Sequence, residues 1–162
     1  LIKGTKAQVL DTRKTTPNFR HLEKLAVKIG GGTNHRFGLY DMMMIKDNHI
    51  DFAGGISAAI QKANLYQEKK GINIPIEIEA RSIEEVVEIL SEGNIHRIML
   101  DNFSIEDTIK AVELIGNKYQ TESSGGITEE TIAKYAKCGV DFISVGALTH
   151  SIQSLDLSLK AI

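Results

Sequence analysis

Short apolar, β-branched runs alternate with amphipathic segments of helical length along almost all of this chain, and that alternation restricts the fold more than any other feature. AQVLDT, IPIEIEA, HRIMLDN, YQTESS and DFISVGA read as strands. Apolar residues at helical spacing predict helices over 18–29, 56–69, 82–91, 105–115 and 129–137. The stretch 42–50 reads as extended or mixed, and 154–162 as a final helix. Ser82 three residues before Glu85 forms a capping box, and Glu129 and Glu130 after Thr128 suit the positive end of a helix. Strands alternating with helices at this spacing imply right-handed βαβ units on a parallel sheet. Five or six such units in 162 residues suit a parallel α/β barrel with an incomplete number of strands better than a short doubly wound sheet. Neither nucleotide-binding pattern, GxGxxG or GxxxxGK[ST], is present.

The length fits one domain, 1–162, able to bury a core without disulfides or a structural metal. Cys138 is the only cysteine, which excludes an intrachain disulfide and fits a reducing, cytoplasmic setting. The net charge of −2 argues against a nucleic-acid surface. No apolar run approaches the roughly 20 residues of a membrane span. The chain opens on Leu1, LIKGTKAQVLDTRK runs straight into a strand, and no signal peptide is seen. This reads as the C-terminal piece of a longer protein.

In a barrel of parallel strands all C-terminal strand ends point to one face, where active sites lie. Here those ends carry Asp11-Thr12-Arg13-Lys14, Lys46-Asp47-Asn48, Glu77 with Glu79, Asp101-Asn102, Ser123-Ser124-Gly125-Gly126, and Gly146 through His150. Strand alternation puts Glu77 and Glu79 on one face, where two carboxylates need cations or a metal. Asp101 closes RIMLD, a placement suited to Mg²⁺ or a ribose hydroxyl. Opposite these acids stand Arg13, Lys14, His35, Arg36 and Lys46, so an anionic substrate and a metal are expected together. SSGGI before a helix offers backbone N–H groups to a phosphate, a weak signal because Gly-Gly is commonly just a turn. Gly30 to Gly32 are expected to end a helix. Met42 to Met44 read as core filler and His21 and His96 as surface or cap residues. His49 reads as a loop anchor and Cys138 as a small buried residue. A zinc site from His35, Asp47 and His49 matches no common ligand spacing.

The segments LDTRKTTPNFR, EKLAVKIGGGTNHRFGLYDMMMIKDNHI, EIEARSIEE, IMLDN, ESSGGI and GVDFISVGALTHS, in this order from about 9 to 158, resemble the quinolinate phosphoribosyltransferase family, also called nicotinate-nucleotide pyrophosphorylase (carboxylating). The resemblance implies an α/β-barrel catalytic domain. It implies Mg²⁺-dependent transfer from phosphoribosyl pyrophosphate to quinolinate with loss of CO₂, giving nicotinate mononucleotide in NAD biosynthesis. By the same resemblance Arg13, Lys14, His35, Arg36 and Lys46 form the cationic pocket, with Lys46, Glu79 and Asp101 catalytic. Glu79 and Asp101 hold ribose hydroxyls and Mg²⁺, and Ser124, Gly125, Gly146 and His150 the 5′-phosphate.

The family's N-terminal domain is absent from this chain. In the family that domain, from the partner of a homodimer, covers the barrel mouth and adds basic residues. Asn18 stands where the family usually has Gly, and Asn tolerates the left-handed conformation a turn needs. Two other readings stay open: a paralogous pyrophosphorylase-like enzyme with another heterocyclic substrate, and a non-catalytic barrel. Paired Arg13-Lys14 and His35-Arg36 favour a dicarboxylate over the first, and intact Glu79 and Asp101 speak against the second.

Overall fold

A computed structural model describes residues 1–162. Six parallel strands form one sheet: β1 (Gln8–Leu10), β2 (Met43–Ile45), β3 (Ile76–Ala80), β4 (Arg97–Asp101), β5 (Gln120–Ser124) and β6 (Phe142–Ser144). Their order, β1-β6-β5-β4-β3-β2, is the cyclic order of a barrel opened between β1 and β2. The free edge of β1 is partly covered, because Thr33 bridges to Leu10 in parallel.

Helices connect the strands: α1 (Arg20–Ile29), α2 (Asp47–Ala53), α3 (Ile56–Lys70), α4 (Ile83–Glu92), α5 (Ile105–Ile115), α6 (Ile132–Lys137) and α7 (Ala147–His150). Local chemistry sets several of their ends. Ser82 accepts a hydrogen bond from the Glu85 N–H at the start of α4, and Ser104 does the same for Asp107 at α5. Gly30 closes α1, its N–H donating to Ala26 O at 2.9 Å. Asn18 lies at φ 64°, so the left-handed turn before α1 survives without glycine.

The apolar core fills the space between sheet and helices. Ile78, Ile98, Leu100 and Ile143 point outward from the strands and pack with Ile60, Val86, Ile89 and Ala111 of the helices. The opposite face of the sheet is more polar than a usual barrel interior, which bulky branched residues fill. The register places Met44 beside Glu77, Glu77 beside Arg97, and Met99 beside Glu122. A cavity of about 610 Å³ opens at the N-terminal ends of the strands and includes Lys6, Arg97, Tyr119 and Asp141 in its lining. It lies away from the rim that carries the polar strand ends.

Three sequence expectations need correction. Residues 154–162 form no helix and are exposed: Leu155, Leu157 and Leu159 alternate with polar residues at period two, so no helical stripe exists to bury. The helix expected over 129–137 begins at Ile132, because Thr128 to Thr131 close a turn in which the Thr128 N–H donates to Thr131 Oγ1 at 2.9 Å. The stretch 42–50, expected to be extended or mixed, is mixed, divided between β2 and the start of α2. Met42 to Met44 are only half-buried, and Met44 Sδ accepts from the Arg36 guanidinium.

Candidate active site

The polar strand ends gather on one rim because every strand runs the same way. Glu79 and Lys46 come from neighbouring strands. Lys46 Nζ lies 2.5 Å from Glu79 Oε1, and the Asp47 N–H donates to Glu79 Oε2 at 3.3 Å. The Lys46 side chain keeps 47% of its surface and Glu79 only 10%, so the lysine reaches outward while its partner sits below. His49 turns back on its own helix and accepts from the Lys46 N–H at 2.9 Å.

Asp101 ends β4 opposite Ser124 of β5. Asn102 follows in the left-handed region, φ 57°, and its Nδ2 donates to Asp101 Oδ2 at 2.9 Å. Its own N–H donates to Ser124 O at 2.9 Å. Gly125, at φ +93°, leaves room for this arrangement: a Cβ there would fall 2.1 Å from Asn102 Oδ1 and 2.9 Å from Asn102 N. Asp101, Asn102, Ser124 and Gly125 therefore form one packed group.

A second group joins the loop after β1 to the segment after β6. A Cβ on Gly146 would meet His150 Nε2 at 2.8 Å and Lys14 Cδ at 3.9 Å. The Thr149 hydroxyl donates to Lys14 O at 2.8 Å and ties the two segments together.

Arg13 and Arg36 form the third group. Burial, and then the like charge of Arg13, lower the Arg36 pKa below the usual arginine value. Arg36 Nη1 donates to Met42 O at 3.2 Å, and the Arg13 Nε is buried with no hydrogen-bond partner within the chain. Two guanidiniums near one another, one with an unsatisfied buried donor, call for an anion between them.

His35 lies beneath this rim and is buried. Its Nε2 is 2.9 Å from Glu77 Oε2 and 3.5 Å from Glu122 Oε2. The Nε2···Glu77 contact is close but poorly aligned for a hydrogen bond. Arg97 Nη1 approaches the same glutamates, at 2.9 Å from Glu122 and 3.6 Å from Glu77. Burial alone would depress the imidazole, but Glu122 and Glu77 outweigh it and lift its pKa from 6.5 to about 9. Burial, followed by the charge of Glu122, raises Glu77. Burial likewise opposes the charge of Glu122, yet His35 and Arg97 hold its carboxyl below the ordinary value.

Sequence reasoning marked Glu77 but passed over Glu122 and Arg97. A usable signal was a charged residue inside each of two short strands otherwise expected to be buried. Asp11, grouped with the polar ends by sequence, is fully buried and anchors the fold instead.

Which residues could hold a cation follows from the donors. Glu79 shares both oxygens with Lys46 and the Asp47 N–H, while Asn102 takes Asp101 Oδ2 and leaves Oδ1 as an acceptor. Such a pair fits an ion that keeps water and arrives with phosphate oxygens, as Mg²⁺ commonly does, rather than one caged by protein. His35, Glu77 and Glu122 form a closer set of three donors. There the Arg36 N–H donates to His35 Nδ1 at 2.7 Å. A neutral His35 therefore carries its proton on Nε2, which cannot also ligate a metal.

Residues 1–160 match the family described as quinolinate phosphoribosyl transferase, C-terminal domain. The chain is 49% identical over 168 residues to the chloroplastic nicotinate-nucleotide pyrophosphorylase [carboxylating] of Arabidopsis thaliana, covering 95% of this chain and 48% of that protein. It is 43% identical to the nicotinate-nucleotide pyrophosphorylase [carboxylating] of Mycobacterium leprae, over 98% of this chain and 55% of the relative. Among solved structures, the nicotinate-nucleotide pyrophosphorylase of Francisella tularensis superposes with a TM-score of 0.90 at 45% identity, over 97% of this chain and 54% of that one. The chain thus spans about half the length of the curated relatives it matches.

Proposed function

Because this chain belongs to the quinolinate phosphoribosyltransferase family, as its C-terminal domain, we propose that it carries most of a site that transfers the phosphoribosyl group of phosphoribosyl pyrophosphate to quinolinate, with loss of CO₂. The products are nicotinate mononucleotide, pyrophosphate and CO₂, in NAD biosynthesis. The observation that carries the reading is the Arg13–Arg36 pair, two neighbouring guanidiniums with a buried, unpartnered donor. A pyridine dicarboxylate offers one carboxylate to each.

The roles assigned in this reading are supported by position. Arg13 and Arg36 hold the dicarboxylate, with Lys14 and Lys46 adding charge at the rim. The pyridine nitrogen then attacks the anomeric carbon, and the C1–O bond to pyrophosphate breaks through an oxocarbenium-like state. Glu79 and Asp101 stabilise that cation and orient the ribose hydroxyls, and Lys46 holds Glu79 in place at 2.5 Å. Glu79 and Asp101 would hold Mg²⁺, which when bound neutralises the departing pyrophosphate. Gly125 and Gly146 keep the backbone open beside Ser124 and His150 for the 5′-phosphate. The cationic ring nitrogen accepts the electron pair left when the 2-carboxylate departs as CO₂, and C2 takes up a proton.

A homodimer whose partner covers the rim completes this reading, and exposed Phe19 and Phe52 on segments following β1 and β2 support it. No helix is long and apolar enough to cross a membrane, and a free Cys138 fits a reducing, cytoplasmic setting.

The test is release of labelled CO₂ from quinolinate carboxyl-labelled at C2, with phosphoribosyl pyrophosphate and Mg²⁺. The 162-residue chain is compared with a form extended to the length of its relatives. Release by the longer form, with slow release by the shorter, is expected. No release by either overturns the reading. Preference for a monocarboxylate pyridine would move the chain to a paralogous activity.

A further inference from the structure

His35 uses both ring nitrogens inside the protein. Nδ1 lies 2.7 Å from the Arg36 backbone nitrogen. Nε2 faces Glu77 and Glu122, both fully buried, at 2.9 and 3.5 Å. The His35 backbone is fixed as well: its N–H donates to Asp11 Oδ1 at 2.8 Å, and its carbonyl accepts from Lys24 Nζ at 3.0 Å. Swinging the ring to the rim would break its close contacts with Glu77 and Glu122. It would also leave two buried carboxylates with Arg97 alone, a costly state.

Arg97 stands at the other end of this line. Its guanidinium stacks 4.0 Å from the Phe142 ring centroid, and Nη2 donates to Gln120 Oε1 at 3.2 Å. Nη1 reaches Glu122 Oε2 at 2.9 Å. From the cavity end of the barrel the contacts therefore run Arg97, Glu122, His35, Arg36 without a gap. Arg36 ends the line at the rim, where the proposed function places one carboxylate of the substrate.

We propose that Arg97 and Glu122 are positioning residues for anion binding, and that His35 is a third, setting the Arg36 backbone rather than touching substrate. Glu122 and Glu77 hold the His35 ring inward, Arg97 neutralises the excess negative charge beneath it, and the inward-held His35 sets the backbone position of Arg36 next to it in the chain. The substrate part of this inference rests on the proposed function; the coupling between the two ends of the barrel does not.

The test uses Arg97→Met, Arg97→Lys and the paired variant Arg97→Met/Glu122→Gln in the 162-residue chain. The paired change removes both partners and leaves no lone buried charge, so it is expected to fold where Arg97→Met alone does not. Two readouts are taken: ¹⁵N resonances of the His35 ring and the Arg36 amide, and the dissociation constants of pyridine-2,3-dicarboxylate and phosphoribosyl pyrophosphate. The expected result for the paired variant is a shift of both sets of resonances and a rise of about 10-fold in the dicarboxylate constant, the scale of one lost charge-assisted contact. The phosphoribosyl pyrophosphate constant should change less than 2-fold, and Arg97→Lys should recover most of the loss. A folded paired variant with unmoved His35 and Arg36 resonances and parental dicarboxylate binding overturns the proposal. Equal weakening of both ligands overturns it too, since that marks general loosening. A parent chain that binds no dicarboxylate counts against the functional reading, while the resonances still decide the coupling.

Discussion

Lys24 Nζ lies 2.5 Å from Asp11 Oδ1, and neither side chain retains more than 3% of its surface. This pair joins α1 to the end of β1. Asp11 also accepts from Asn34 Nδ2 and from the His35 N–H, so it fastens the segment that carries Arg36. Removing one partner of a buried pair leaves the other uncompensated, at a cost of about 3–5 kcal/mol. Lys24→Met and Asp11→Asn should each lower the melting temperature by about 10 °C for a domain of this size. Thermal unfolding by circular dichroism measures it, and a change under about 2 °C would show that the pair contributes little.

Glu79→Ala and Asp101→Ala, made in a form extended to the relatives' length, should each cut turnover about 10²–10³-fold. That is the effect of losing one preorganised electrostatic partner in a transition state. Fold should persist, because Asp101 is half-exposed and Glu79 pairs with a lysine that can turn to solvent. Steady-state kinetics beside a far-ultraviolet spectrum separate the two effects. Near-parental turnover in both variants would remove these residues from the chemistry.

Stability should fall on the alkaline side. A group whose pKa is raised by folding stabilises the fold below its unfolded value and loses that contribution as pH climbs through the folded one. For His35 the loss runs from 6.5 to about 9, and for Glu77 from 4.5 to about 7. Urea unfolding between pH 6 and 10 should therefore show a decline on the order of 2 kcal/mol. Glu122 shifts the other way, so its contribution is lost as pH falls below the ordinary carboxylate range. His35→Gln should flatten the alkaline limb, and an unchanged limb in that variant would place the titration elsewhere.

Gly125→Ala should destabilise by about 1–3 kcal/mol, because alanine is strained at φ +93° and its Cβ meets the Asn102 side chain and backbone N. Asn102 must then move, and Asp101 loses the hydrogen bond it accepts at 2.9 Å. The variant should bind phosphoribosyl pyrophosphate more weakly while keeping its affinity for the dicarboxylate. Calorimetric titration of each ligand checks the split, and parental affinity for both would show that the loop accommodates a methyl group.

Most of the architecture was legible in the chain because its signals are local. The period-two run IEIEA, the serines before α4 and α5, and the glycines after α1 each fix a neighbour a few residues away. The candidate site was legible in residue type: Arg13, Arg36, Lys46, Glu79 and Asp101 all lie at or beside the C-terminal rim. Residues 154–162 form no helix because their apolar residues alternate at period two.

What the sequence by itself determined, then, is the order of strands and helices, the parallel sheet, and the set of charged residues at its rim. These follow from periodicity and from strand direction, which neighbouring residues encode. Only the tertiary structure decided how those charges are shared. Asp11 turned inward to Lys24, His35 settled between Glu77 and Glu122, and Arg97 reached them from the far end of the barrel. A buried charge is stable only beside its opposite, and the strands must pair into one sheet before residues so distant in sequence become neighbours.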